Sequence, residues 1–216
     1  MTPAGGGALG RKVNHDERSR SYAITPASAE TLVSVKHKRL VKPYDQGHVS
    51  SCTGNAAAGV LSTAPFHHRF GQRTALRLYA RATQLDPFPG TYPAQDTGSD
   101  GLSVAKAAKE RGWISAYFHA FGLPAALTAL QTTAVITGIT WKTGCDSVSP
   151  EGQITWSGTV RGGHEFQVDE IDVERQRVWL TNSWGPDWGL NGRAWFTWDD
   201  WGAALLDSGD VTVLLP

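Results

Sequence analysis

The sequence predicts an α+β fold in which a mostly helical front half faces a mostly β back half across a cleft. Three observations predict it. Helical spacing of apolar residues dominates up to Gly112. Beyond Gly112, short β-branched and apolar runs alternate with Gly, Pro and Asp turns. All nine tryptophans lie after residue 112, so the two halves differ in composition as well as in pattern. Charge divides the same way. Residues 1–81 hold 12 Lys/Arg against 4 Asp/Glu, and residues 82–216 hold 8 against 16, although the net charge is zero. The basic front carries no aromatic-interleaved motif for nucleic acid. Its expected role is attraction between two unlike lobes.

At 216 residues the chain can hold one domain, or two small ones that share a cleft. No stretch approaches the roughly 20 apolar residues of a membrane helix. The first 20 residues contain Gly5-Gly6-Gly7, Arg11, Lys12, Arg18 and Arg20 and lack the apolar core of a signal peptide. Cys52 and Cys145 are the two cysteines, too few for a disulfide framework, so a reducing, cytoplasmic location is expected. A monomer that binds neither nucleic acid nor membrane is expected.

Residues 1–40 are expected to form an N-terminal arm, partly flexible, with 21–42 extended or irregular. Residues 41–112 are expected to form the helical lobe. Its helices run from Cys52 through Leu61, from Thr74 to Leu85, where Leu76, Tyr79, Ala80 and Thr83 share a face, and from Leu102 to Arg111 with Gly112 as C-cap. Residues 113–216 are expected to form the β lobe. One helix, Gly122–Gln131, precedes strands at 134–141, 154–156, 164–173, 177–184, 193–198 and 211–215.

Cys52 opens a small-residue helix directly after a polar turn. A thiol in a first helical turn feels the positive end of the helix dipole, which favours the nucleophilic thiolate. Such a nucleophile needs a base, an orienter for that base and donors for an oxyanion. His164, in Gly162-Gly163-His164-Glu165-Phe166, enters a strand. Asn182 follows 18 residues later, and pairing of the two strands would bring them side by side. Trp184 could shield that contact from water. Gln46, six residues before Cys52, could place its amide beside the Cys52 N–H.

Gln46…Cys52, Gly163-His164 and Asn182-Ser183-Trp184-Gly185-x-x-Trp188-Gly189-x-x-Gly192 together resemble the three signature blocks of the papain-like cysteine peptidases, in the family's order. The resemblance covers about residues 40–215. It implies a helical left lobe and a β-barrel right lobe, with the active site in the cleft between them. It makes Cys52 the nucleophile, His164 the acid/base, Asn182 its orienter and Gln46 the oxyanion-hole side chain. Gly98 and Ser99 fall where the family bonds extended substrate backbone, and with Glu165 and Trp184 they are the expected substrate-contacting residues. The implied reaction is peptide hydrolysis through a thioester, without metal or cofactor.

Several positions depart from the family pattern. Thr53 stands where the family has Trp, and Val49 where eukaryotic members have a disulfide-bonded Cys. Cys-Thr-x-Asn-Ala resembles the disulfide-free microbial branch. About 40 residues precede the catalytic block without helical periodicity, so no family-type inhibitory pro-segment is expected. Glu165 replaces a small residue, and with Asp100 nearby it predicts a preference for Lys or Arg at the second substrate position upstream of the cut.

Other residues read as structural. Cys145 is expected to be a spare thiol in a loop. His67 and His68 are expected to be surface histidines, since no Cys or acid lies at ligand spacing. Two other functions use the same residues: a wall-peptide amidase or transpeptidase with an unchanged site, and a non-catalytic papain-fold binding protein.

Overall fold

The computed structural model describes residues 7–216, so Gly5 and Gly6 of the glycine run lie outside the described residues. After two 3-10 turns, Glu17–Tyr22 and Ala29–Thr31, the elements are β1 (Val35–Lys36), α1 (Cys52–Leu61), α2 (Gln72–Leu85), α3 (Gly101–Glu110), β2 (Ala116–His119), α4 (Gly122–Ala129), β3 (Val135–Lys142), β4 (Val160–Asp172), β5 (Arg177–Thr181), β6 (Arg193–Thr197), α5 (Trp198–Leu206) and β7 (Asp210–Leu215). The strands form one seven-stranded antiparallel sheet in the order β2-β7-β3-β4-β5-β6, with β1 paired to β4.

All ten residues of α1 are buried. Its sequence explains how this is possible. Gly54, Ala56, Ala57, Ala58 and Gly59 keep the helix thin, and a Cβ at Gly54 would sit 2.3 Å from the Ala75 carbonyl of α2. The two helices therefore touch through backbone, and any larger residue at Gly54 would force them apart. Asn55 bonds back to the Ser51 carbonyl at 2.8 Å and to its hydroxyl at 3.0 Å, which stabilises the turn that delivers Cys52.

Two hydrophobic clusters fill the fold. One joins α1, α2 and α3 with Tyr44, Ile114 and the tips of β3 and β7. The other is built on β3 to β7 with α4 and α5, around Trp141, Phe166, Phe196 and Trp201. The basic front meets the acidic back at Arg11–Asp210 and at Lys36–Glu170, the latter 2.9 Å apart.

The elements differ from expectation where caps and partners decide. α2 begins at Gln72 rather than Thr74, behind the N-cap Gly71. α3 begins at Gly101 because Asp100 caps it, accepting the Ser103 N–H at 2.8 Å. β4 starts at Val160 because β3 runs on to Lys142, which pairs with Val160. Residues 154–156 are no strand; they touch β6 through the Ile154 N–H to the Trp195 carbonyl at 3.0 Å. α5 replaces the end of the expected strand 193–198. Thr197 accepts the Asp200 N–H at 3.1 Å, and Asp199 and Asp200 fill the first turn, a capping signal masked by the neighbouring tryptophans.

Candidate active site

Cys52 lies at the first position of α1, His164 within β4 and Asn182 directly after β5. β4 and β5 pair antiparallel with Gln167 opposite Thr181, which sets His164 and Asn182 at one end of the ladder. His164 Nε2 is 2.8 Å from Asn182 Oδ1, which also accepts the Ser183 N–H at 2.7 Å. The expected His–Asn pairing is therefore made, and it fixes the imidazole with Nδ1 left over. That nitrogen is buried and has no hydrogen-bond partner. Trp184 stacks on the His164 ring at 4.8 Å, and Trp141 meets the same ring edge-on at 4.9 Å. These two indoles exclude water from the His164–Asn182 bond. Trp141 was not anticipated as a neighbour of the histidine.

The Gln46 side chain is held at both ends. Its Nε2 donates to the Val49 carbonyl at 2.8 Å, and its Oε1 accepts from the Ser183 hydroxyl at 2.5 Å. Its backbone N–H also reaches the Ser183 carbonyl at 2.8 Å. One amide hydrogen of Gln46 remains for another acceptor. The loop carrying Gln46 is thus bonded directly to the loop carrying Asn182.

On the opposite edge, a network not legible in the sequence shapes Gly98 and Ser99. Tyr79 of α2 donates to Asp96 at 2.5 Å and accepts the Gly98 N–H at 2.9 Å. Asp96 also accepts the Ser50 N–H at 2.9 Å, two residues before Cys52. The Ser99 hydroxyl turns away to Asp86 at 2.6 Å, leaving its backbone N–H and carbonyl facing the cleft.

The N-terminal arm occupies that cleft. Trp184 Nε1 donates to the Ala8 carbonyl at 3.1 Å. The N–H groups of Gly10 and Arg11 both reach the Gly163 carbonyl at 3.0 Å. Ser99 donates to the Gly10 carbonyl at 2.9 Å and accepts the Lys12 N–H at 2.7 Å, in a parallel bridge centred on Arg11. Gly98, at φ +76°, allows this approach, since a Cβ there would lie 2.0 Å from the Gly10 carbonyl oxygen. The arm's position leaves no mark in the sequence, because a Gly-rich charged segment carries no periodicity to read.

Burial dominates the titration of the site. The Cys52 thiol is fully buried and pushed up to about 12 from 9.0, chiefly by loss of solvent and then by Glu165. Backbone N–H groups of Glu165 and Thr53 act in the opposite direction. Loss of solvent is the largest influence on the thiol and acts against the helix dipole, which is worth at most ~2 kcal/mol. Burial thus acts in the opposite direction to the dipole that the sequence predicts for Cys52. His164 is lowered to about 4, again chiefly by burial, which its bond to Asn182 only partly offsets. Glu165 is held well above the usual carboxylate range by burial and by the neighbouring charge of Asp210. Cys145 lies in a 3-10 turn rather than an open loop; it is buried, donates to the Thr155 carbonyl at 3.3 Å, and is pushed up to about 12.

No family model matches the chain, and no curated protein matches it in sequence. Solved structures do match in fold. Xylellain, a cysteine protease from Xylella fastidiosa, superposes with a TM-score of 0.76 at 17% identity, covering 100% of this chain and 98% of that one. Procathepsin B of Trypanosoma congolense gives 0.67 at 10% identity, covering 96% and 86%. Digestive procathepsin L2 from the larval midgut of Tenebrio molitor gives 0.62 at 12% identity, covering 97% and 78%. The chain has the papain-like fold, as the α+β reading and the resemblance imply. The two cysteines are both free. Among the described residues, no helix is long and apolar enough to cross a membrane.

Proposed function

We propose that the chain is a cysteine peptidase that cleaves peptide bonds through Cys52, His164, Asn182 and Gln46. The observation that carries this reading is the 2.8 Å bond from His164 Nε2 to Asn182 Oδ1, which leaves Nδ1 as the one free ring nitrogen, on a strand, β4, that packs against the helix beginning at Cys52. A structural histidine buried this deeply would be expected to use both nitrogens. His164 Nδ1 takes the thiol proton as Cys52 Sγ attacks the substrate carbonyl. The Cys52 N–H, which has no intrahelical acceptor at this position, and the remaining Gln46 amide hydrogen receive the oxyanion. His164 then returns the proton to the leaving amine. Water, deprotonated by the same nitrogen, hydrolyses the thioester. Gly98 and Ser99 supply backbone groups to an extended substrate, and Trp184 keeps the His164–Asn182 bond dry.

The test is turnover of a mixed peptide library by the full chain and by its Arg11→Ala variant, each with a Cys52→Ala control. Cleavage by either protein that disappears in its control supports the peptidase. Cleavage that survives Cys52→Ala overturns it. Inert protein on peptides but Cys52-dependent hydrolysis of wall peptides would move the substrate assignment and keep the chemistry.

A further inference from the structure

Residues 35–43 form a strap that joins β4 to the far end of α1. Val35 and Lys36 pair with Ile171 and Glu170 of β4. A few residues on, the Leu40 N–H reaches the Ser62 carbonyl at 2.9 Å and the Ala64 N–H reaches the Lys38 carbonyl at 3.0 Å, just beyond α1. Four of these nine residues are Lys or Arg. A basic segment that served only to attract the acidic back would meet a carboxylate at each cation. Lys36 does so, 2.9 Å from Glu170. Lys38, Arg39 and Lys42 do not: among the described residues, none of the three has an ion-pair partner.

Arg39 is the unusual member. Its guanidinium lies on α1 at Gly59, where a Cβ would stand 2.6 Å from Nη1. Nη1 donates to Gln167 Oε1 on β4, Nε donates to the Val41 carbonyl at 3.1 Å, and Nη2 reaches the Lys42 carbonyl at 3.4 Å. The Tyr44 ring centroid is 5.0 Å from Cζ. Every one of these partners is neutral. Loss of solvent pushes the group down from its ordinary value, and the charge of Asp169 is a smaller, opposing influence. Hydrogen bonds to neutral oxygens orient a cation without cancelling its charge. Three of its five N–H hydrogens are used, and two remain on a group whose position is already fixed.

Over Arg39 opens a groove of about 460 Å³, lined also by Lys36, Lys38, Asp169 and Arg193. The acids there are already engaged. Arg193 donates to Asp169 at 2.5 Å and to Glu170 at 2.9 Å, and Lys36 holds Glu170 as well. Four cations against two acids leave an excess of two positive charges, centred on Lys38 and Arg39. We propose that this groove binds a small phosphorylated molecule, with Arg39 as the fork for its phosphate and Lys38 as a second charge. A phosphate monoester carries roughly −1.5 to −2 at neutral pH, which matches that excess, whereas a carboxylate carries about half as much. A guanidinium bonds two phosphate oxygens at once, which suits the two N–H hydrogens left on Arg39. The groove falls within the roughly 300–1,000 Å³ of small-molecule pockets, so it has room for more than the phosphate. It includes none of the proposed catalytic residues, and the proposal does not depend on the peptidase reading. Gln167 and Gly59 connect Arg39 to the strand that carries His164 and to the helix that begins at Cys52, so a bound phosphate ties the two elements together.

Thermal unfolding of the full chain in phosphate-free buffer reads the site directly, with phenyl phosphate as probe and benzoate as the singly charged control. Phenyl phosphate is expected to raise the unfolding temperature saturably, and benzoate to need at least about tenfold more for the same shift. Lys38→Ala should weaken the phosphate effect about tenfold. Arg39→Lys, which keeps the charge and loses the fork, should weaken it roughly 10- to 100-fold, the range of one charged hydrogen bond. Lys109→Ala removes a cation from α3 and should leave the effect unchanged. Cys52→Ala should respond to phenyl phosphate as the natural chain does, which separates this result from any result on turnover. Should Arg39→Lys fail to fold, Lys38→Glu takes its place and should abolish the effect. The proposal is overturned if phenyl phosphate gives no saturable shift, if benzoate matches it, if the shift survives both the Lys38 and the Arg39 substitutions, or if Lys109→Ala reduces it as much as they do.

Discussion

Ser183 donates its hydroxyl hydrogen to Gln46 Oε1 at 2.5 Å, across 137 residues of chain. That bond decides which way the Gln46 amide faces, because an amide whose oxygen is anchored must present its nitrogen elsewhere. Ser183 follows Asn182 directly, so one loop holds both the residue bonded to the imidazole and the side chain proposed as oxyanion donor. Ser183→Ala is expected to leave the fold and KM in place and to lower kcat by about tenfold, one hydrogen bond's worth of orientation. Ser183→Thr should recover most of the loss. Steady-state kinetics on a cleaved library peptide, with circular dichroism as the folding control, check it.

Tyr79 acts on the other edge of the cleft. Its hydroxyl connects Gly98 to Asp96, and Asp96 in turn accepts the Ser50 N–H. Tyr79→Phe removes the acceptor of the Gly98 N–H while keeping the ring. KM for an extended peptide is expected to rise several-fold with kcat nearly unchanged, since the Gly98–Ser99 loop is proposed to bind substrate backbone and touches no reacting atom. A fall in kcat alone would assign Tyr79 a different role.

The thiols give a direct reading of the seated arm. With Cys52 and Cys145 both buried and both pushed up to about 12, iodoacetamide at pH 7 should modify each slowly in the intact chain. Arg11→Ala, which weakens the arm's hold, should speed modification of Cys52 at least tenfold and leave Cys145 unchanged, because Cys145 is covered by its own turn and not by the arm. Peptide mapping after timed alkylation separates the two sites.

Stability should fall in acid through His164. Its folded-state value lies below the unfolded one, so the unfolded chain binds the extra proton first. The contribution is complete above pH 6.5 and is lost as pH falls towards about 4. The full interval corresponds to about 3 kcal/mol. Urea midpoints measured from pH 7 to pH 4 should drop more steeply for the natural chain than for His164→Gln, which cannot take up the proton.

The parts of the fold that could be read in advance are those whose signals are local. Cys52–Leu61 is a run of small residues that forms a helix because nothing in it opposes one, and the bounds agree with the structure. The His164–Asn182 pairing is legible because two consecutive strands 18 residues apart can bring the two side by side, and because both residues stand in the motif blocks of the family the chain resembles. β2 was missed because Ala116–His119 is four residues long and is defined by its partner β7 rather than by its own composition. Asp210 was missed for the same reason. Its place as partner of Arg11 is set by standing across Gly138 from Glu165, and strand register at that distance in sequence leaves no local trace.

The arm's position in the cleft has a quantitative consequence for anything that competes with it. Because Arg11 is covalently part of the chain, its bonds to Asp210 and the Ser208 carbonyl are intramolecular, and their occupancy is independent of protein concentration. A short tether gives an effective concentration on the order of millimolar. A free peptide of the same intrinsic affinity must therefore reach about that concentration before it displaces half of the arm. A ligand of the proposed site that engages more of the cleft than residues 8–12 do is therefore expected to enter at lower concentration than one that only matches them.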